Sequence, residues 1–121
     1  MKWRRSLLVI GMLAVAMVIG VLCVSRMRTA GRFEVINQSG ESAKELTVRV
    51  SDRLFVFHDL APDQRAAGSF LIASDSHYDV FVQYSSGRTI KRSVGYVTNG
   101  LEADDALYVL NDRVEIRRRQ R

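Results

Sequence analysis

Eighteen consecutive residues, Leu7 to Val24, carry no charge, and basic side chains close both ends: Lys2, Arg4 and Arg5 before, Arg26 and Arg28 after. Counted with Ser6 and Ser25 the run reaches 20 residues, about 30 Å as a helix at ~1.5 Å per residue, the thickness of a bilayer's hydrocarbon core. Eleven of the residues from Leu7 to Val24 are Leu, Ile or Val, worth roughly 3 to 6 kcal/mol toward insertion. The stretch predicts one N-terminal transmembrane helix, a single-pass signal-anchor. A cleavable signal has an apolar run of roughly 7 to 15 residues and a small-x-small site. This run is longer and offers only Cys23-Val24-Ser25, so a retained anchor is expected, with Trp3 at the headgroup level.

Cys23 is the only cysteine. Leu22 directly before it is too large for a lipid-attachment signal, and with no second cysteine no intrachain disulfide forms. Orientation is less constrained than insertion. Lys2, Arg4 and Arg5 are balanced by Arg26, Arg28 and Arg32, so the positive-inside rule separates the two sides poorly. The short first flank is expected to stay in the cytoplasm, with the C-terminal domain on the far side.

The net charge of +5 conceals an uneven distribution. Six basic residues flank the apolar run and four, Arg117, Arg118, Arg119 and Arg121, end the chain. Between them, residues 33–116 hold eight basic side chains and all thirteen acidic ones, a balance of minus five. An acidic domain between basic ends does not support a nucleic-acid reading, which needs basic side chains gathered on one folded face. All nine Phe and Tyr residues fall in the same segment, a globular composition. The expected organisation is an anchor and connector over 1–31, a β domain over 32–116 and a basic tail over 117–121.

Within the domain the dominant period is two. Phe33 and Val35 flank Glu34; Leu46, Val48 and Val50 alternate with Glu45, Thr47 and Arg49; Tyr78, Val80, Val82 and Tyr84 alternate with Asp79, Phe81 and Gln83. Such alternation marks half-buried strands. Leu54-Phe55-Val56-Phe57 is apolar on both faces and predicts a strand covered on both sides. Asn37-Gln38-Ser39-Gly40, Ser51-Asp52, Pro62-Asp63, Ser85-Ser86-Gly87 and Asn111-Asp112 supply turns. Arg88 to Val94 reads as a polar edge strand. Thr98 to Asp105 reads as the longest loop, its Glu102, Asp104 and Asp105 solvated. Thr29-Ala30-Gly31 reads as connector. Eight short strands with no amphipathic helix predict an all-β fold, an immunoglobulin-like β-sandwich of about 7–8 strands behind one transmembrane helix.

The succession Asn37-Gln38-Ser39-Gly40, Leu46-x-Val48-x-Val50, Phe57-x-Asp59-Leu60-x-Pro62, Tyr78-x-Val80-x-Val82 and Gly95-Tyr96-Val97-Thr98-x-Gly100 resembles small bacterial membrane-anchored or lipoprotein-like β-sandwich domains of uncharacterised function. The resemblance implies a sandwich in the bacterial envelope. With the orientation above, this means the inner membrane with a periplasmic domain. It supplies no catalytic residue.

No catalytic, cofactor-binding or metal motif emerges. His58 and His77 each have an acid nearby, Asp59 and Asp79, but neither has ligand spacing. No serine lies in a Gly-x-Ser-x-Gly elbow, and no Gly-rich phosphate loop is present. Asn37-Gln38-Ser39 matches a glycosylation sequon. The expectation is a non-enzymatic chain without cofactor or metal. Candidate interaction residues are Phe81, which alternation turns away from the core, and Phe55 and Phe57 on the doubly apolar strand. Candidate membrane contacts are Trp3, Arg117, Arg118, Arg119 and Arg121, since arginines beside anionic headgroups contribute about 1 kcal/mol each. Two functions fit: a membrane-tethered domain that binds an envelope protein partner, by the Phe81 side or by strand addition at a polar edge, or a periplasmic immunity or inhibitor protein whose acidic domain meets a basic envelope toxin.

Overall fold

Alternating apolar and polar residues give strands whose one face must be covered, and here eight of them cover one another. The computed structural model describes residues 29–119. Its strands are β1 (Thr29–Asn37), β2 (Ala43–Val50), β3 (Arg53–Leu60), β4 (Arg65–Ile72), β5 (Ser76–Tyr84), β6 (Thr89–Val97), β7 (Ala103–Val109) and β8 (Val114–Arg118). They form two four-stranded sheets, ordered β4-β1-β7-β8 and β3-β2-β5-β6. Every pairing is antiparallel except β1 with β7, which run parallel with Gly31 opposite Ala103 and Asn37 opposite Val109. No helix occurs among the described residues. The helix expected over 7–24, Trp3 and Arg121 lie outside them.

The sheets meet through the inward halves of their alternating strands. Phe33, Val35, Leu46, Val48, Val50, Tyr78, Val80, Val82, Tyr84 and Leu107 are all buried. Phe33 is the centre of this layer. Its ring stands edge-on to Phe55 at 4.9 Å and to Tyr78 at 6.0 Å, with Phe57 at 6.3 Å and Phe70 tilted at 6.4 Å. Edge-to-face pairs at such separations contribute about 0.5–1.5 kcal/mol each beyond simple burial. Phe33 and Phe70 come from one sheet and Phe55, Phe57 and Tyr78 from the other, so the aromatic cluster holds the layers together.

Three expectations are corrected. Thr29 to Gly31 are not connector but the first residues of β1, paired with Ile72, Leu71 and Phe70. Gly31 is tolerated there because the Phe70 ring occupies the space a Cβ would need. Arg117 and Arg118, expected in a tail, finish β8. The β3 strand is covered on one side only: Phe55 and Phe57 pack against the core while Leu54 and Val56 are exposed. Alternation forces that division, and the larger rings, with more apolar area to bury, take the inner side.

Turn geometry follows the residues. Ser51 and Asp52 both have positive φ, 47° and 60°, as a two-residue hairpin turn of the mirror-image type requires. Asp63, φ 65°, fills the position after Pro62 that favours glycine, and the turn closes with Gln64 N–H donating to Ala61 O at 3.0 Å. Strands alternate in direction along the chain. One pole therefore collects the starts of the odd-numbered strands and the ends of the even-numbered ones, and the chain both enters the sandwich there at Thr29 and leaves it there after Arg118. At this pole Asn99 N–H donates to Asp75 at 2.8 Å, tying the β6–β7 loop to the β4–β5 loop.

Candidate functional site

The outer face of the β3-β2-β5-β6 sheet carries the most distinctive exposed chemistry at mid-strand. Val56 and Phe81 both lie opposite Thr47, so the three form one row across β3, β2 and β5, and Lys91 of the β6 edge continues it. Directly opposed side chains on one face sit about 4.5–5.5 Å apart at Cβ. Leu54, two residues before Val56, lies in the next row with Arg49, Asp79 and Ser93. Leu54 is 52 % exposed, Val56 44 % and Phe81 36 %. Large apolar side chains left in water as neighbours are the signature of a contact surface.

Of the three candidate aromatics, only Phe81 lies on this face. Phe55 and Phe57 point into the sandwich. Phe55 is capped from outside by the Arg53 guanidinium, 5.3 Å from its ring centre. Leu54 and Val56 take their place, because alternate residues of β3 face the other sheet and solvent. Alternation sends one of the strand's two apolar pairs to each face, and the ring contact with Phe33 of the other sheet takes Phe55 and Phe57 inward.

Beside the apolar row is a polar one. Asp79 Oδ1 accepts hydrogen bonds from His77 Nε2 at 3.0 Å and from Ser93 Oγ at 2.5 Å. The Ser93 hydrogen bond, with His77 and Lys91 adding charge attraction, outweighs desolvation and holds the Asp79 carboxyl below its ordinary range. These three residue types make a nucleophilic triad only when the serine hydroxyl meets the histidine. Here both donors converge on the carboxylate, so nothing withdraws the serine's proton. His58 lies elsewhere, on β3 opposite Glu45. Among the described residues no group of three or more His, Cys, Asp or Glu side chains is placed to hold a metal ion.

The acidic stretch differs from expectation. Glu102 closes the loop, whereas Asp104 and Asp105 belong to β7. Asp105 is fully buried, accepting from Tyr78 Oη at 2.8 Å and from Arg118 Nε at 3.4 Å. Burial, with the Asp105 bond added, pushes the Tyr78 hydroxyl far above its usual pKa. The signal was the alternation Ala103-x-Asp105-x-Leu107-x-Val109, which puts Asp105 on the inward face. Arg118 also donates to Tyr96 O at 2.8 Å, joining the β8 edge of one sheet to the β6 edge of the other.

The arginines expected to be available for lipid are partly committed. Arg117 lies 5.0 Å over the Tyr108 ring, Arg118 is paired as above, and Arg119 bridges Glu34 at 3.1 Å. The sequon is also decided by burial. Asn37 is fully buried, its Nδ2 donating to Glu41 O at 3.0 Å and Leu60 O at 2.9 Å while its Oδ1 accepts from Ser39 N and Oγ. Asn37 ties the β1–β2 turn to the end of β3, and its amide is inaccessible to glycan transfer.

No protein-family profile and no curated protein matches the chain. Among solved structures it is similar to the NMR structure of a protein from Eubacterium rectale, with a TM-score of 0.52 at 19 % identity over 78 % of this chain and 91 % of that one. At that identity the likeness concerns the fold alone.

Proposed function

We propose that this chain is a membrane-tethered, non-enzymatic interaction domain of the bacterial envelope, held by the Leu7–Val24 segment and binding a protein partner through the outer face of the β3-β2-β5-β6 sheet. The observation that carries the reading is the exposed group of Leu54, Val56 and Phe81 on that face. Strand addition at the β6 edge is the weaker route. Lys91 and Arg92 charge that strand and Gly95 bends it, and both features protect an edge from pairing. The immunoglobulin-like arrangement belongs to the same reading. Two packed sheets with loops gathered at both poles support it, although the division into four and four strands departs from the seven-strand pattern.

The test is photo-crosslinking in cells with a photoreactive residue in place of Phe81, compared with one in place of Tyr108 on the outer side of the other sheet. A resident envelope protein captured at position 81 and not at position 108 is expected. Equal capture at both positions, or none at either, removes the reading. The acidic domain, with thirteen acids against eight basic residues over 33–116, supports a second reading as an immunity or inhibitor protein, for which capture at position 81 appears only when a basic envelope toxin is supplied.

A further inference from the structure

We infer that the partner received by the outer face of the β3-β2-β5-β6 sheet is a second copy of this chain, which deepens and rests on the contact-surface reading of that face. A third row, through Glu45 of β2 and Gln83 of β5, lies beyond the row of Val56, Thr47, Phe81 and Lys91. The charges of the three rows are Arg49 and Lys91 against Glu45 and Asp79. The face therefore sums to zero, in a segment, 33–116, whose balance is minus five. Lys44 and Asp52 stand outside the rows, one at each end of β2. A basic partner finds no negative surplus on this face, and a second copy meets no net repulsion.

Sheets pack face to face about 10 Å apart with their strands within about 30° of each other. A two-fold axis along the strands, passing between β2 and β5, lays β2 of one copy over β5 of the other at equal height, and β3 over β6. Arg49 then opposes Asp79 of the second copy, and by symmetry the contact forms twice. Thr47 opposes Phe81 of the second copy, Glu45 opposes its Gln83, and the Lys91 stem covers its Val56. The charged groups are free for these contacts. Arg49 and Lys91 make no ion pair among the described residues, and both hydrogen bonds to the Asp79 carboxylate fall on Oδ1, leaving Oδ2 open. A two-fold axis across the strands, centred on the Phe81 row, sets Lys91 against Lys91 instead. The axis along the strands also puts both Thr29 ends at one pole, as two copies tethered in one bilayer require. Four strands ~4.8 Å apart and about eight residues long at ~3.3 Å give each face roughly 500 Å². The pair buries on the order of 1,000 Å², the lower limit for a specific interface, and anchoring both copies in one membrane raises their effective concentration.

The experiment takes the purified full chain as the sole protein in phosphatidylethanolamine–phosphatidylglycerol vesicles, with a photoreactive residue in place of Phe81 or of Tyr108. Irradiation is expected to give an adduct of twice the chain mass, several-fold more from position 81 than from position 108. Arg49→Asp and Asp79→Arg, each alone, set like charges against each other at both symmetric contacts and should lower the position-81 adduct about tenfold or more. Mixing the two variants, one of them carrying a mass tag, opposes acid to base at both contacts and should restore a mixed adduct. Pairing within one chain cannot produce that recovery, and the recovery itself shows that both variants fold. A position-81 adduct that neither substitution lowers, or a mixture that does not recover although both variants keep the wild-type circular dichroism, overturns the Arg49–Asp79 contact and the dimer built on it. Equal adducts from positions 81 and 108, or none, overturn the second copy as partner. In that case capture of a different protein at position 81 in cells leaves the contact-surface reading standing, and capture of nothing removes both.

Discussion

Asp63 and Tyr78 show opposite ways in which a single residue shapes this domain. Asp63 sits at φ 65°, where a side chain costs energy that glycine avoids. Asp63→Gly is expected to stabilise the fold by about 0.5–1 kcal/mol, a rise of a few degrees in Tm by thermal melting. Tyr78→Phe acts in the other direction. Removing the hydroxyl strips buried Asp105 of one of its two donors, and an unsatisfied buried group costs about 1–3 kcal/mol, measurable as a shift in the denaturant midpoint. A pH dependence follows from Asp79. Its folded pKa is depressed by Ser93, so its contribution is present above the ordinary aspartate range and is lost as pH falls through the lower folded value. Ser93→Ala should therefore destabilise at neutral pH, and the difference from wild type should narrow as pH drops below about 4. A difference that stays constant into acid would refute the assignment.

At the scale of elements, the two sides of the sandwich are closed differently. On one side β6 and β8 approach through Gly95, whose absent Cβ leaves room for Ile116 and whose φ of 73° bends the strand. Arg118 then bonds Tyr96 O across the gap. Gly95→Ala should cost clearly more than Gly100→Ala, because Gly100 shares a positive φ but has nothing within 4 Å. The expected values are above about 2 kcal/mol against roughly 1 kcal/mol, read by chemical unfolding. On the other side β3 and β4 meet through the aromatic rings, and Gly68 leaves the space that Phe33 and Phe55 fill. Sequence periodicity located all eight strands but ended several of them early. The β4 strand runs over Arg65–Ile72, because pairing with β1 recruits Arg65 to Ala67, whose small and polar side chains carry no strand signal of their own. The same tertiary pairing drew Thr29–Gly31 into β1.

For the molecule as a whole, Phe33 is the residue on which both layers depend. Phe33→Ala is expected to cost about 3–5 kcal/mol, a large share of the roughly 5–15 kcal/mol typical of a domain, and circular dichroism should show partial unfolding near physiological temperature. The parallel pairing of β1 with β7 joins the two ends of the sandwich sequence, Gly31 with Ala103. Such non-local contacts put folding in the millisecond-to-second range, and a microsecond refolding phase would contradict it. The pole geometry belongs to this scale too, since entry at Thr29 and exit after Arg118 at one end follow from the even number of alternating strands.

The sequence by itself determined the period-two strands, their number, the turns at Ser51-Asp52 and Pro62-Asp63, and the acidic balance of residues 33–116, because each is set by local steric preference or by counting. It also contains the uncharged run on which the tethered reading depends. Only the tertiary structure decided which face of β3 turns outward, that Asp105 is buried, that Asn37 is locked into a turn, and that Arg49 and Asp79 share one face with Val56 and Phe81. Those outcomes depend on which strands become neighbours, and neighbours far apart in the chain are chosen by burial of the whole apolar surface at once, which no local pattern encodes.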